Sequence, residues 1–180
     1  MSTPPPLPIR LASFQDAAAL SALKVRCFRE TFLTEGFDIP YPPAELARFE
    51  DESYGIPRIE AELADSSHAT WVVEAADGDL VAYAHAGPCK LPHPEADPSQ
   101  GELYQLYIRR SHQGLGLGQS LLSLSLDWLA TTYPGPVWLG VWSGNEKAQR
   151  FYARLGFGKV GDYHFMVGDH ADAEFIFRRG

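Results

Sequence analysis

The sequence predicts an α/β fold of the α+β kind, one sheet flanked by helices, and three observations carry the prediction. Gln113-Gly114-Leu115-Gly116-Leu117-Gly118 stands between an apolar run, residues 103–108, and a leucine-rich stretch, residues 121–129, the layout of strand, glycine turn and helix. Two short β-type runs, residues 69–74 and 80–86, are joined across Asp77-Gly78, a hairpin signal. Ala148, Phe151 and Leu155 recur at helical spacing ahead of Gly156, which suits the residue just past a helix end.

In chain order, a stiff proline leader over residues 4–8 precedes a first strand at residues 9–12 and a helix from Asp16 to about Thr31. A Pro- and Gly-rich connection, residues 34–43, leads to a second helical region at 44–65, interrupted near Tyr54-Gly55-Ile56-Pro57; the two helical regions are expected to bracket an acceptor. After the hairpin, residues 87–100 carry Pro88, Pro92, Pro94 and Pro98, too many for regular structure, and a loop of that length is expected to cap something. Tyr133-Pro134-Gly135-Pro136 turns into a strand at residues 137–142, and residues 157–165 and 174–178 read as two closing strands.

Composition narrows the function. The 180 residues, 45% hydrophobic and 21% charged, suit a single domain spanning 1–180. No run approaches eighteen apolar residues, and Met1-Ser2-Thr3-Pro4-Pro5-Pro6 lacks the basic and apolar parts of a signal peptide, so a cytoplasmic protein with no membrane partner is expected. Cys27 and Cys89 form neither a disulfide framework nor a zinc motif, and the six histidines lack metal-site spacing, so no metal is implied. A net charge of −8 argues against a nucleic-acid partner and favours a cationic substrate.

The glycine loop removes β-carbons where backbone N–H groups must approach a ligand, and the following helix adds partial positive charge, so phosphate is its natural guest. It is not a P-loop, because Gln119 stands between Gly118 and Ser120 where Lys belongs, and Gly-x-Gly-x-x-Gly fails from either Gly114 or Gly116. With Gln113, Gly116 and Gly118 in place, it resembles the Gln/Arg-x-x-Gly-x-Gly/Ala pattern of the GNAT superfamily of N-acetyltransferases. The segment from Gly144 to Phe157 resembles that superfamily's Asn-x-x-Ala-x-x-Phe-Tyr-x-x-x-Gly-Phe, with Asn145 and Tyr152 on one helix face. The likeness is good over residues 101–157 and holds only in pattern elsewhere. Taken alone, Asn145 reads equally as a helix N-cap and Tyr152 as a core aromatic.

The resemblance implies a mixed, mostly antiparallel sheet of about six to seven strands, splayed between strands 4 and 5 and flanked by about four helices. It further implies acetyl-CoA as cosubstrate and an amine acceptor, and it admits a homodimer without requiring one. The amides of Gln113, Gly114, Leu115, Gly116, Leu117, Gly118 and Gln119 would hold the pyrophosphate, with Arg109 and Arg110 adding attraction. Leu106, Tyr107 and Ile108 would face the pantetheine arm, Leu106 and Ile108 through backbone groups left free by the splay. Asn145 would meet an amide of the cosubstrate, and Tyr152 would return a proton to the leaving thiolate. Family precedent for a carboxylate near this strand nominates Glu102 as the base, with Glu30 and His85 as second choices. Cys27 as an acyl carrier is disfavoured, because a buried thiol is the default. Cys27-Phe28-Arg29-Glu30-Thr31-Phe32 is similar to a helix of the bacterial polyamine-acetylating branch, and Glu30, Glu35 and Asp38 would suit a polyamine or another cationic amine. Peptide or protein N-termini, a non-catalytic acyl-CoA sensor and a nucleotide-binding module are the alternatives.

Overall fold

The computed structural model describes residues 7–180, so the start of the proline leader lies outside the described residues. Seven strands form one sheet in the order β1-β2-β3-β4-β5-β7-β6: β1 Ile9–Leu11, β2 Ala69–Glu74, β3 Leu80–Pro88, β4 Gly101–Ile108, β5 Val137–Trp142, β6 Gly158–Val167 and β7 His170–Arg179. Every neighbouring pair is antiparallel except β4 and β5, which run parallel and touch only at Gly101↔Val137 and Glu102↔Trp138. Beyond Glu102 the two strands diverge, as the expected splay requires.

Among the described residues five helices flank the sheet: α1 Ala17–Phe32, α2 Pro43–Tyr54, α3 Ile56–Ala64, α4 Leu117–Thr132 and α5 Glu146–Ala153. The second helical region is two helices because the α2 C-cap, Gly55, is extended and Pro57 re-starts the chain in the first turn of α3. Asp16 is the N-cap of α1 and also closes a capping box over the 3₁₀ turn before it, its Oδ2 accepting the Ser13 N–H at 2.7 Å. Helix α1 buries Leu20, Leu23, Lys24, Cys27 and Phe28, a stripe at helical spacing.

On one face of the sheet α4 contributes Leu117, Leu121, Leu122 and Leu129 to a core with Leu103, Val137, Leu139, Phe157 and Phe177. On the other, α1 and α3 pack Leu20, Leu23 and Ile59 onto Val72 and Tyr83. An aromatic cluster of Phe28, Phe32, Tyr41, Phe49 and Tyr54 joins α1 and α2 beside it. The closing hairpin is longer than the sequence suggests, because Gly168 at φ +58 permits a tight turn and both strands run right up to it. Most of β6 is exposed, so no apolar run marks its extent.

Candidate active site

The divergence of β4 from β5 opens a cavity of about 570 Å³ on the face carrying α1, α2 and α3. Phe28, Phe32, Phe49 and Tyr54 form an aromatic wall, Lys90, Leu91 and Pro92 of the long loop close one side, and Tyr152 and Asn145 border it from the α5 side. The two helical regions therefore bracket the cavity, and the proline-rich loop caps it.

Along β4, Arg109 donates its backbone N–H to Val81 O on β3 at 2.9 Å, so by strand alternation Tyr107 also faces β3. Leu106 and Ile108 consequently turn their backbone groups to the open side. The Ile108 carbonyl is not free, however: Gln113 Nε2 donates to it at 3.2 Å, tying the glycine loop to the end of β4. The loop itself lies beyond the cavity, at the mouth of the split. Gly114 and Gly116 have φ of +81 and +77, and a Cβ on either would meet nothing within 4 Å, so both point into open space. Gly116 caps α4 without a side-chain hydrogen bond, leaving the first amides of the helix unpartnered. That is a cradle for an anion. Leu117 contributes only its backbone, since its side chain is in the core, while Leu115 and Gln119 are exposed.

Asn145 is the N-cap of α5, its Oδ1 accepting the Ala148 N–H at 3.1 Å, and its amide nitrogen is left for the cavity it lines. Tyr152 is half-buried; no described residue hydrogen-bonds its hydroxyl, and burial pushes the phenol well above its ordinary range. Phe151 packs half-buried against the core, because α5 buries none of its residues fully.

Glu102 is 7% exposed and lines the cavity. Burial pushes its carboxyl up to about 7, against the opposing hydrogen bond from the Lys90 N–H to Oε2 at 2.7 Å. A second carboxylate, Glu174, shares the cavity; burial also raises it to about 7, while Tyr163 donates to its Oε2 at 2.5 Å. Sequence reading missed Glu174, which occupies an ordinary strand position and shows no motif.

The expectations for Glu30, Glu35 and Asp38 are corrected. Glu30 does not reach the cavity: its carboxylate accepts the Arg110 N–H at 2.9 Å and pairs with Arg109 at 3.4 Å, which also occupies both arginines. Glu35 and Asp38 are exposed on the connection after α1, outside the cavity lining. The carboxylates that face the cavity are Glu52, Glu62, Glu102, Asp172 and Glu174. His85 lines it but is 3% exposed, its Nε2 lying 2.9 Å from His68 Nδ1, and burial with nearby Lys24 keeps it neutral. Cys27 is 1% exposed and its thiol is pushed up to about 12 by burial, which leaves no thiolate for acyl transfer.

With this geometry described, comparison with known proteins gives a consistent answer. The family model described as the acetyltransferase (GNAT) family matches residues 22–157. An uncharacterised N-acetyltransferase of Mycobacterium tuberculosis is 30% identical over 172 residues, covering 91% of this chain and 97% of that protein. Spermine/spermidine N(1)-acetyltransferase of Bacillus subtilis is 32% identical over 92 residues, 49% of this chain and 59% of that one. Among solved structures, the PaiA N-acetyltransferase of Thermoplasma acidophilum, in complex with coenzyme A, superposes with a TM-score of 0.73 over 99% of both chains at 19% identity.

Proposed function

Since this chain belongs to the GNAT family of acetyltransferases, we propose that it works as one domain over residues 1–180, in the cytoplasm, moving the acetyl group of acetyl-CoA to a primary, cationic amine. The observation that carries this reading is the split itself. One cavity joins the free edge of β4, the Tyr152 hydroxyl and a buried carboxylate whose pKa of about 7 suits a base.

In this reading the amides of residues 113–119 and the α4 N-terminus hold the pyrophosphate, and the outward backbone groups of Leu106 with the N–H of Ile108 pair with the pantetheine arm as a strand would. Glu102 accepts one proton from the arriving ammonium. The freed nitrogen lone pair attacks the thioester carbon, and the carbonyl electron pair moves to oxygen, where a β4 N–H can receive it. On collapse the C–S bond breaks and the pair goes to sulfur, which Tyr152 protonates. The extra proton on nitrogen restores the phenol, and the one on Glu102 leaves to solvent. Five carboxylates around the cavity support a cationic acceptor, and the spermine-acetylating relative is consistent with one. Thiol release from acetyl-CoA with a panel of primary amines tests the proposal; binding of CoA with no amine-dependent thiol release would reject it.

A further inference from the structure

The chemistry above uses one carboxylate, yet the cavity presents a second of the same kind across β5. Glu102 on β4 pairs with Trp138, and Glu174 on β7 pairs with Trp142. Paired residues share a face, and Trp138, Gly140 and Trp142 alternate along β5, so the two carboxylates stand on one face with β5 between them. The residue at the midpoint is Gly140. A Cβ there would lie 2.9 Å from Glu174 Oε2 and would also strike the Tyr163 hydroxyl, so glycine is what lets the Glu174 carboxylate lean over β5.

A third acceptor faces the same space. Gln105 lines the cavity with a buried amide oxygen that has no hydrogen-bond partner, and a buried acceptor left empty costs free energy until a ligand supplies a donor. Neither carboxylate pairs with a cationic side chain among the described residues. Of the cations lining the cavity, Lys90 places its Nζ over the Tyr104 ring, 3.9 Å from the centroid, and Arg58 pairs with Glu62 at 2.9 Å. Each carboxylate accepts its one protein donor on Oε2, so the two Oε1 atoms and the Gln105 oxygen can match the three N–H donors of a primary ammonium. Burial first, and then the charge of Glu102, raise the proton affinity of Glu174, as expected for an anion enclosed with another.

Building on the acetyltransferase reading, we propose that Glu174, with Glu102 and the Gln105 amide oxygen, forms the seat for the acceptor's ammonium group, and that Glu174 sets the preference for cationic over uncharged amines. Tyr163 positions it.

The test compares a cationic amine with an uncharged one. Wild type, Glu174→Gln and Tyr163→Phe are assayed by thiol release from acetyl-CoA, using whichever of n-butylamine, spermidine and an alanyl peptide has the highest kcat/KM, and hydroxylamine, which is uncharged at neutral pH. In Glu174→Gln the ratio of kcat/KM for the cationic amine to that for hydroxylamine falls at least about tenfold, chiefly through the amine KM, while the KM for acetyl-CoA holds. Tyr163→Phe falls between this variant and wild type. An unchanged ratio, or an equal loss on both nucleophiles, overturns the seat while leaving the acetyltransferase reading intact. Thiol release with none of the amines overturns the acceptor reading, and the seat with it. Should Glu174→Gln fail to fold by circular dichroism, Glu174→Asp, which withdraws the carboxylate by one methylene, carries the same comparison.

Discussion

The Glu30 carboxylate at the end of α1 accepts the backbone N–H of Arg110 at 2.9 Å, while the Arg110 guanidinium donates to Glu30 O at 3.1 Å. This reciprocal pair clamps the entrance of the glycine loop to α1, three residues before Gln113. A residue that reads in the sequence as acceptor charge thus holds the glycine loop instead. Glu30→Ala is expected to raise the KM for acetyl-CoA about three- to tenfold, in keeping with the loss of one charge-assisted hydrogen bond at a partly exposed site. The amine KM should stay nearly constant, and initial-rate kinetics with each substrate varied separates the two.

The cradle is better probed at Gly118 than at Gly116. Valine at Gly116 would be strained at φ +77 whatever it did to the ligand, by about 1–2 kcal/mol. Gly118 lies in the first turn of α4, where an added Cβ meets only the flexible Ile108 Cδ1 at 3.3 Å. Gly118→Val should therefore keep its circular dichroism spectrum and lose CoA affinity by calorimetric titration. Unchanged affinity in the folded variant would remove the loop from the binding site.

Tyr152→Phe keeps the ring and deletes the proton. CoA affinity and Tm should barely move, while kcat falls roughly 10²- to 10⁴-fold under conditions where chemistry limits the rate. Because burial holds the phenol protonated well above its ordinary range, no alkaline loss of activity should arise from its titration near neutrality. The neighbouring Phe151→Ala should instead cost stability, about 1–3 kcal/mol for a ring only half-buried rather than the 3–5 kcal/mol of a fully enclosed one, read from denaturant midpoints.

Glu102 predicts two pH effects. As a base it must be ionised, so kcat/KM should climb with pH through about 7 and level above it, and Glu102→Gln should abolish both the limb and most of the rate. For stability the sign is opposite. The folded carboxyl holds its proton up to about 7 against 4.5 for the free side chain, so its contribution is fully present below pH 4.5 and is lost as pH rises through 7. Glu102→Gln should therefore unfold at relatively higher denaturant than wild type at pH 8, an advantage that shrinks at pH 5.

How much was legible in the sequence depended on whether a role is carried by the backbone and its immediate neighbours. Gln113, Gly116 and Gly118 announce their loop because positive φ and close approach demand glycine at fixed offsets. The bounds of β2 and β5 were readable because their side chains are nearly all buried, which writes an apolar run into the chain. Strand β6 left no such mark, and its length and the turn at Gly168 escaped.

The sequence by itself therefore determined the order of elements, the glycine loop ahead of α4, and Asn145 at the cap of the helix that carries Tyr152, since each follows from residues a few positions apart. Tertiary structure alone decided which charges meet. Glu30 lies between Phe28 and Phe32 of the aromatic wall in sequence but spends its charge on Arg109 and Arg110, 79 and 80 positions away. Glu174, 72 residues beyond Glu102, reaches the cavity only because β7 lies beside β5 and Gly140 leaves the space above it open. Carboxylates are common on any surface, and what makes one functional is the burial and partners that other strands and helices impose, which no local pattern encodes.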